Sequence, residues 1–335
     1  MVSLKDIATR CGVSVATASK ALNDHTDISV NTKRLIQDTA KEMGYNPNSS
    51  ARALKTNRTF NIGVLFVDKS LNGLTHDYFS HVLDGFRVGA EKKGYDITFL
   101  SNGQEHASYL KHSMYRGFDG IVAACVNFYD NEVIELVNSD IPLVTIDHVF
   151  EHRISVNSDN KGGMEALVRH IIKSGHKKIA YIYGDDTSVT HNRIKGYEHA
   201  LYESGLIPQK KYMKASRYRK PEDSYKLTKE LLSLSELPTC IIFPDDYSCI
   251  GGINAITEAG LTIPDDISIA GFDGSFFSQI LSPKLTTYKQ ASDRIGSIAA
   301  EKLIQLIESP KNNAHESIVV PGEVIKGESV CPLTL

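Results

Sequence analysis

From Phe60 onward, short apolar runs typical of buried strands alternate with longer segments whose apolar residues recur at helical spacing. The first strand-like runs are NIGVLFV, YDITFL, DGIVAAC and IPLVTI; the pattern restarts after about residue 158 with KKIAYIYG, TCIIF and DISIAGFD. This α/β alternation predicts parallel strands joined by helices, and the restart predicts two doubly wound parallel sheets. We expect a ligand cleft outside the carboxyl ends of the strands.

The first sixty residues have a different, all-helical pattern. Ser3 and Asp6 form a possible capping box, and Gly12 follows the first helix where a left-handed turn is needed. Ser14 can cap a second helix, VATASKALN, so the pair is predicted to be a helix-turn-helix. A third helix should begin at about Ser29 or Thr32 and end at Met43. We expect it to close a small core with four side chains, Leu35, Ile36, Ala40 and Met43.

Charge separates this headpiece from the rest of the chain. Residues 1–60 hold nine Lys and Arg against five Asp and Glu, whereas the remainder holds 28 against 35, within a net charge of −3. A basic head on an acidic body indicates a polyanionic partner for the head. The exposed face of the second helix should carry Val15, Ala16, Thr17 and Lys20, which could approach base edges in a major groove. A three-helix bundle without DNA function would show the same periodicity.

Composition and motifs exclude several other classes. At 335 residues and 37.0 kDa the chain should form two or three domains, and no apolar run approaches a membrane span of about 18 residues. The polar N-terminus has no apolar leader segment, so we expect a cytoplasmic protein. Five scattered cysteines without a CxxC pair indicate neither a disulfide framework nor a zinc site. No nucleotide-binding, metalloprotease or serine-hydrolase motif is found, so we expect no catalytic residue, no metal and no cofactor.

The runs SLKDIATRCGVSVATASKALN and ISVNTKRLIQDTAKEMGYNPNSSARAL resemble the DNA-binding headpiece of the lactose/galactose repressor (LacI/GalR) family over residues 3–55. The recognition segment VSVAT is similar to the galactose-repressor type. The chain departs from the family pattern at Ala18, where the family usually has Val, and at Lys20, where Arg or His is frequent. The departure at Lys20 bears on which operator base this side chain would contact. The resemblance implies the following DNA contacts: Ser3, Ser14, Val15, Ala16, Thr17, Ser19, Lys20, Asn23, Ser29, Thr32, Asn48, Ala51, Arg52, Leu54 and Lys55.

By composition, the segment after the third helix would be an ordinary polar linker, and Leu54 an ordinary core leucine. The resemblance instead implies a hinge helix at 48–58 that folds against its dimer mate in the minor groove. Leu54 then matches the apolar wedge that opens the central base step, and Ala51 is small enough for two hinge helices to approach.

The body, over 60–330, resembles the same family and its periplasmic sugar-binding relatives, with landmarks that include HDYFSHVLDGF, IPLVTID, HNRIKGY, FPDDYSCIGG, SIAGFD and LTTYKQ. The resemblance implies seven effector contacts: Tyr78, Phe79, Asp147, His148, Arg193, Asp245 and Asp273. Carboxylates, an arginine and aromatic faces suit a polyol. Asp245 stands where the family usually has Asn. For the neighbouring Asp246, capping a helix that begins at Tyr247 is an alternative to ligand contact.

We therefore predict a headpiece at 1–47, the hinge at 48–58, a first body subdomain at 60–157 and 289–316, and a second at 158–288 and 317–335. Three crossovers near 157–160, 288–291 and 316–321 should join the subdomains. The predicted function is a homodimeric, sequence-specific DNA-binding regulator, a repressor with a palindromic operator, controlled by a sugar-like effector. A sugar-binding transport module without DNA function, and a sugar-cleaving enzyme with two carboxylates, are the alternatives from other classes.

Overall fold

The computed structural model describes residues 2–23, 25–46, 53, 56, 58–67, 73–101, 108–309 and 315–333. The chain divides into two compact units, residues 1–59 and 60–335. The predicted fold class is confirmed: an all-helical headpiece precedes a body of two parallel-sheet α/β subdomains. Among the described residues, no helix is both long enough and apolar enough to span a membrane.

The headpiece contains α1 (Leu4–Cys11), α2 (Val15–Leu22) and α3 (Val30–Glu42). The predicted caps Ser3 and Ser14 are confirmed, because each side chain accepts a hydrogen bond from a backbone N–H in the first turn. Ser29 caps α3 in the same way. Gly12 ends α1 at φ 66° in the left-handed conformation that favours glycine. A glycine turn between two capped helices therefore produces the helix-turn-helix expected from the sequence.

The headpiece core is small and consists mostly of alanine and isoleucine. Its buried residues come from all three helices: Ile7, Ala8, Ala18, Ala21, Ile36 and Ala40. Met43 packs against this cluster, as predicted. The prediction for Leu35 is wrong, because its side chain is 54% exposed. Ile36 and Ala40, four residues apart, already face the core, and Leu35 points away from that face of α3.

The first body sheet has six parallel strands in the order β11-β5-β4-β3-β1-β2. Its strands are β1 (Asn61–Phe66), β2 (Asp96–Phe99), β3 (Gly120–Ala124), β4 (Leu143–Ile146), β5 (Ile154–Ser158) and β11 (Ser317–Val320). Its helices are α4 (Asp77–Glu91), α5 (Tyr109–Arg116), α6 (Asn131–Val137) and α11 (Ser292–Glu308). Two apolar clusters cover its faces, one of which packs α4 and α11 against the strands.

The second sheet also has six strands, in the order β12-β10-β9-β8-β6-β7, and only the β10–β12 pair is antiparallel. Its strands are β6 (Ile179–Tyr183), β7 (Met213–Ala215), β8 (Cys240–Ile242), β9 (Ser268–Asp273), β10 (Thr286–Lys289) and β12 (Glu323–Ile325). Its helices are α7 (Asn160–Lys173), α8 (Ser188–Glu203), α9 (Pro221–Leu232) and α10 (Cys249–Glu258). Short 3₁₀ turns occur at Gly73–Thr75, Lys210–Tyr212 and Phe277–Gln279.

The chain passes between the two sheets three times: between β5 and α7, between β10 and α11, and between β11 and β12. These are the crossovers that the sequence predicts. Three predicted subdomain boundaries are wrong by a few residues. β11 pairs with β5 in the first sheet, with Ser317 opposite Ser155, so residues 317–320 belong to the first subdomain. Ser158 ends β5 and also belongs to the first subdomain, whereas Lys289 still belongs to β10 in the second. A short edge strand just before a crossover has no apolar run long enough to reveal its sheet.

Candidate ligand cavity and nucleic-acid interface

The face of the headpiece expected to contact DNA is formed by α2. Val15 is 45% exposed, Ala16 is exposed, and Thr17 is held by Ser14, whose side chain accepts from the Thr17 N–H at 3.0 Å. The ammonium of Lys20 forms an ion pair with Asp27, beyond the C-terminal end of α2. That ion pair lowers the pKa of Asp27. No sequence pattern predicted this intramolecular partner of Lys20.

The other predicted DNA contacts divide into two groups. Asn23 ends α2 and donates from its side chain to the carbonyl of Ser19 at 2.7 Å, while Ser3, Ser29 and Thr32 lie in the first turns of α1 and α3. These are positions from which backbone and hydroxyl groups commonly contact phosphates. The predicted hinge contacts lie outside the described residues: Asn48, Ala51, Arg52, Leu54 and Lys55.

A cavity of about 610 Å³ lies between the two body subdomains, at the carboxyl ends of their strands. All seven predicted effector residues line it: Tyr78, Phe79, Asp147, His148, Arg193, Asp245 and Asp273. Tyr78 and Phe79 lie in the first turn of α4, and Asp147 and His148 directly follow β4. The other three come from α8 and from the ends of β8 and β9. The topology therefore brings together residues almost 200 positions apart in the sequence.

Asp147 connects the first subdomain to the first crossover. Its carboxylate accepts from the Tyr78 hydroxyl at 2.6 Å and from the Ser158 N–H at 2.8 Å. Its carbonyl accepts from the hydroxyl of Ser188, at the start of α8 in the second subdomain, at 3.4 Å. Burial raises the pKa of Asp147, although the two donors oppose that shift. Asp147 thus contacts both subdomains and the connection between them.

Arg193 is the buried cation of the cavity, at 4% exposure. Its Nε donates to the side-chain oxygen of Asn160 at 2.8 Å, and its Nη1 donates to the carbonyl of Pro244 at 2.9 Å. The guanidinium lies 3.6 Å from the centre of the Phe272 ring, and Nη2 is 4.0 Å from Asp273. These contacts fix the guanidinium plane before any ligand arrives.

Asp273 ends β9 and is the acceptor that remains most available to a ligand. The Gln290 amide donates to its Oδ1 at 2.7 Å. Burial raises its pKa well above the ordinary value, and Arg193 only partly offsets this effect. Gln290 lines the same cavity at 3% exposure, and no group in the described parts of the chain donates a hydrogen bond to its Oε1. Asp273 and Gln290 together present oxygen acceptors to hydroxyl groups of a ligand.

The paired carboxylates after β8 have separate structural tasks. Asp245 accepts from the Ser248 N–H at 2.7 Å, from the Ser248 hydroxyl at 2.9 Å and from the Arg219 N–H at 2.8 Å. The capping interpretation of Asp246 is wrong, because α10 begins only at Cys249 and Asp246 instead accepts from Ser275 and Thr287. Asp246 therefore ties the ends of β8, β9 and β10 together. Burial raises its pKa to about 7.

An aromatic wall covers the first-subdomain side of the cavity. His148 stacks on Phe128 with ring centroids 4.3 Å apart and planes 8° apart, and Phe79 meets Tyr78 edge to face at 4.9 Å. Burial lowers the pKa of His148, which favours the neutral imidazole. Such apolar ring faces can cover the C–H side of a sugar ring.

Several cavity residues were not predicted from the sequence, among them Phe128, Tyr218, Arg219, Lys220 and Gln290. Gln290 ends the LTTYKQ landmark at a crossover, which was a usable signal. The run RYRK follows a strand and precedes the proline that starts a helix, so it marks a loop at the carboxyl end of the second sheet.

Backbone strain is concentrated at this cavity. Of the residues that the structure describes, five other than glycine have positive φ, and four of them line the cavity: Cys125, Asp147, Arg219 and Asp273. Non-glycine residues in that region are held there at a cost of about 1–3 kcal/mol each. Such strain is typical of sites whose geometry is set for a ligand.

Comparison with known proteins agrees with both parts of the chain. Residues 3–48 match the model described as bacterial regulatory proteins of the lacI family, and residues 168–330 match the periplasmic binding protein-like domain. The chain is 32% identical over 338 residues to the probable HTH-type transcriptional repressor ExuR of Bacillus subtilis, with both proteins covered completely. It is 31% identical to the HTH-type transcriptional repressor PurR of Histophilus somni, covering 98% of this chain and 99% of that one.

Solved structures show the same fold. The lac repressor dimer bound to operator and the anti-inducer ONPF has a TM-score of 0.80 at 23% identity, covering 98% of this chain and 99% of that one. A LacI family regulator from Enterococcus faecium with bound ribose has a TM-score of 0.70 at 26% identity, covering 82% of this chain and 100% of that one. The relatives matched over their full length and the lacI family model agree with the helix-turn-helix headpiece and the two-sheet body. The chain therefore belongs to the LacI family of bacterial transcriptional regulators.

Proposed function

We propose that this protein is a homodimeric repressor that binds a palindromic operator and responds to a small polyol held between its body subdomains. The observation that carries the proposal is the convergence of seven side chains, taken from the family resemblance, on one cavity between two sheets. The relatives ExuR and PurR are named as transcriptional repressors. These names support repression rather than activation, and binding of the ligand rather than its chemical conversion. Because a repressor acts at DNA, we place the protein in the cytoplasm.

The chemistry of the cavity suits a polyol. Asp273 and Gln290 offer acceptors to hydroxyl groups, and Arg193 offers a fixed donor. Phe79 and the stacked pair of Phe128 and His148 offer apolar faces. Donors and acceptors on one side and ring faces on the other are the usual arrangement for a sugar ring.

The cavity also connects ligand binding to movement of the subdomains. Only three crossovers join the two sheets, so each subdomain can move as a body about them. Asp147 lies beside the first crossover and Gln290 lies in the second. A ligand that touches both sides favours one relative placement of the subdomains. In a dimer, that placement sets the separation of the two hinge segments at 48–58 and thereby the affinity for DNA.

The palindromic operator follows from symmetry. A two-fold dimer presents one α2 to each half-site, so the two half-sites must be inverted copies. Val15, Ala16 and Lys20 on the exposed face of α2 should set the base preference. Ser14, Thr17 and Ser19 should set the position of α2 on the phosphates.

Selection of bound sites from random duplex DNA by the full-length protein tests the proposal, followed by operator titrations with a panel of sugars and sugar derivatives. We expect an inverted-repeat consensus and at least one compound that changes the operator Kd. A Lys20→Ala variant serves as the control for specific contact, and its consensus should lose preference at one symmetric base pair. An asymmetric consensus, or the absence of sequence-specific binding, would contradict the proposal.

A further inference from the structure

The loop of residues 217–220 between β7 and α9 places three cations at the wall of the cavity in the second subdomain. Arg217, Arg219 and Lys220 all line the cavity, together with the Tyr218 between them. The cavity also contains carboxylates, so its charge alone does not define the ligand. The hydrogen bonds of each charged group decide which charges remain available.

The carboxylates near this loop already have donors. Asp185 accepts from the Tyr218 N–H at 2.9 Å, and Asp245 accepts from the Arg219 N–H at 2.8 Å and from both donors of Ser248. Asp186 lies 2.6 Å from the ring nitrogen of His191. On this side of the cavity, the carboxylates therefore serve to hold the protein's own groups.

The three cations differ in their partners. Arg217 donates twice to Asp223, at 2.7 and 3.1 Å, and is thereby neutralised. For Arg219 and Lys220, no carboxylate oxygen in the described parts of the chain lies within 4.0 Å of the cationic nitrogens. Arg219 packs its guanidinium 4.8 Å from the Tyr247 ring centre, and its buried Nε has no acceptor among the residues that the structure describes. Burial raises the pKa of Asp245, and the charge of the Arg219 guanidinium opposes that shift less than the Arg219 N–H and the two donors of Ser248 do.

The local backbone conformation holds Arg219 and Lys220 in place, although this conformation costs free energy. Arg219 has φ 55°, a conformation unfavourable for a residue with a Cβ. The carboxylate of Asp245 holds Arg219 in this conformation by accepting a hydrogen bond from the Arg219 N–H. Lys220 is the N-terminal cap residue of α9, with no capping hydrogen bond from its side chain. The helix dipole opposes a cation at this end of α9 and favours anions; Glu222 and Asp223 already lie in its first turn, and Asp223 is bound by Arg217. The conformation of Arg219 is accounted for if an anionic group arrives from the cavity.

We propose, building on the function proposed above, that the effector is an acidic polyol whose carboxylate or phosphate is bound by Arg219 and Lys220. Its hydroxyl groups then lie toward Asp273 and Gln290. Gln290 is 3% exposed, and its Oε1 has no donor within the described ranges of the chain, which is an independent indication that a hydroxyl-bearing ligand completes the site. The acidic group supplies the acceptor that Arg219 Nε lacks.

Matched sets of ligands test this inference directly. Each set contains a neutral aldohexose, the corresponding hexuronate and the corresponding hexose 6-phosphate, tested with the full-length protein by thermal shift and then by calorimetric titration. We expect one acidic member of a set to bind at least tenfold more tightly than its neutral counterpart, and its identity distinguishes carboxylate from phosphate. Affinity for that member should fall as salt concentration rises, because an ionic contact is screened.

Variants then assign the contact to these residues. Arg219→Gln and Lys220→Gln should each weaken the acidic ligand at least tenfold and change the neutral counterpart less than threefold. Lys195→Gln, an exposed lysine on α8 outside the cavity, is the matched control and should leave both affinities unchanged. Unfolding temperatures without ligand show whether each variant is folded. If Arg219→Gln is unstable because of its backbone conformation, Lys220→Gln alone decides.

The outcomes separate this inference from the proposed function. A neutral sugar that binds as tightly as its acidic counterparts, or the absence of binding by every acidic member, overturns the inference. In the first case the regulatory proposal stands if that sugar changes the operator Kd. An acidic ligand that binds through Arg219 and Lys220 without changing the operator Kd upholds the inference and contradicts the proposed function.

Discussion

Replacement of Asp273 by alanine should abolish the response to effector while sparing ligand-free operator binding. Asp273 accepts from the Gln290 amide at 2.7 Å, lies 4.0 Å from Arg193 and has φ 115°. The headpiece that contacts DNA forms a separate unit at residues 1–59, so its fold does not depend on this carboxylate.

The size of the effect has two parts. Loss of the carboxylate leaves the buried Gln290 amide without its acceptor, at about 1–3 kcal/mol of unfolding free energy, and a hydrogen bond from the effector to a charged acceptor is worth about 1.5–3 kcal/mol. The second value corresponds to ligand binding weakened roughly 10- to 150-fold.

Asp273→Asn is the matched variant that separates these parts. Asparagine tolerates positive φ and keeps an oxygen for Gln290, so its unfolding free energy should fall by less than about 1 kcal/mol. Its bond to the effector becomes neutral and therefore weaker. Titrating labelled operator with each variant, with and without the effector identified in the ligand screen, gives both quantities. An Asp273→Ala variant that responds at the wild-type effector concentration would place the ligand elsewhere.

Three further predictions address the headpiece, the hinge and pH. Leu54→Ala, at a position outside the described residues, should weaken operator binding by a few kcal/mol, because the apolar wedge at the central base step is lost, and should barely change binding to scrambled DNA. Equal losses of affinity for both DNAs would exclude the wedge. Asp27→Asn frees Lys20 in both subunits of the dimer, so affinity for any duplex should rise and the slope of log Kobs against log salt should steepen by about 1.8, or about 0.9 for each freed lysine. An unchanged slope would mean that Lys20 does not reach a phosphate. Burial raises the pKa of Asp246 from 3.8 to about 7, so between these pH values the folded state holds a proton that the unfolded state releases, and the free energy of unfolding falls as pH rises. Asp246→Asn should remove this contribution to the pH dependence, measured by urea unfolding from pH 4.5 to 7.5. An unchanged dependence on pH would assign it to other groups.

The sequence predicted the layout well wherever a local signal exists. Ser3, Gly12 and Ser14 set the ends of the first two helices through capping and a left-handed turn, and these need only a few neighbouring residues. The alternating apolar runs likewise gave both sheets and their crossovers. The prediction that Leu35 is buried was wrong because consecutive side chains on a helix point about 100° apart, so Leu35 does not share the core face of Ile36. Composition does not reveal which of two neighbouring apolar residues faces the core.

The candidate site was predicted in outline, and its remaining features depend on tertiary contacts. All seven expected residues line the cavity. Asp246, however, accepts hydrogen bonds from Ser275, which follows β9, and from Thr287 in β10, and no local pattern encodes these contacts. The partner of Lys20, the left-handed conformation of Arg219 and the open acceptor of Gln290 also arise from packing between segments. Spacing in the sequence specifies which loops meet, whereas the hydrogen bonds between them depend on three-dimensional placement.

The central claim is that the cavity and the operator site are thermodynamically coupled, and reciprocal titration measures this most directly. The operator Kd is determined with and without saturating effector, and the effector Kd with and without saturating operator, at one salt concentration. Linkage predicts that both ratios are equal and differ from one, by about 5- to 150-fold for typical coupling energies of 1–3 kcal/mol. Tight effector binding in the cavity with both ratios equal to one would contradict the account.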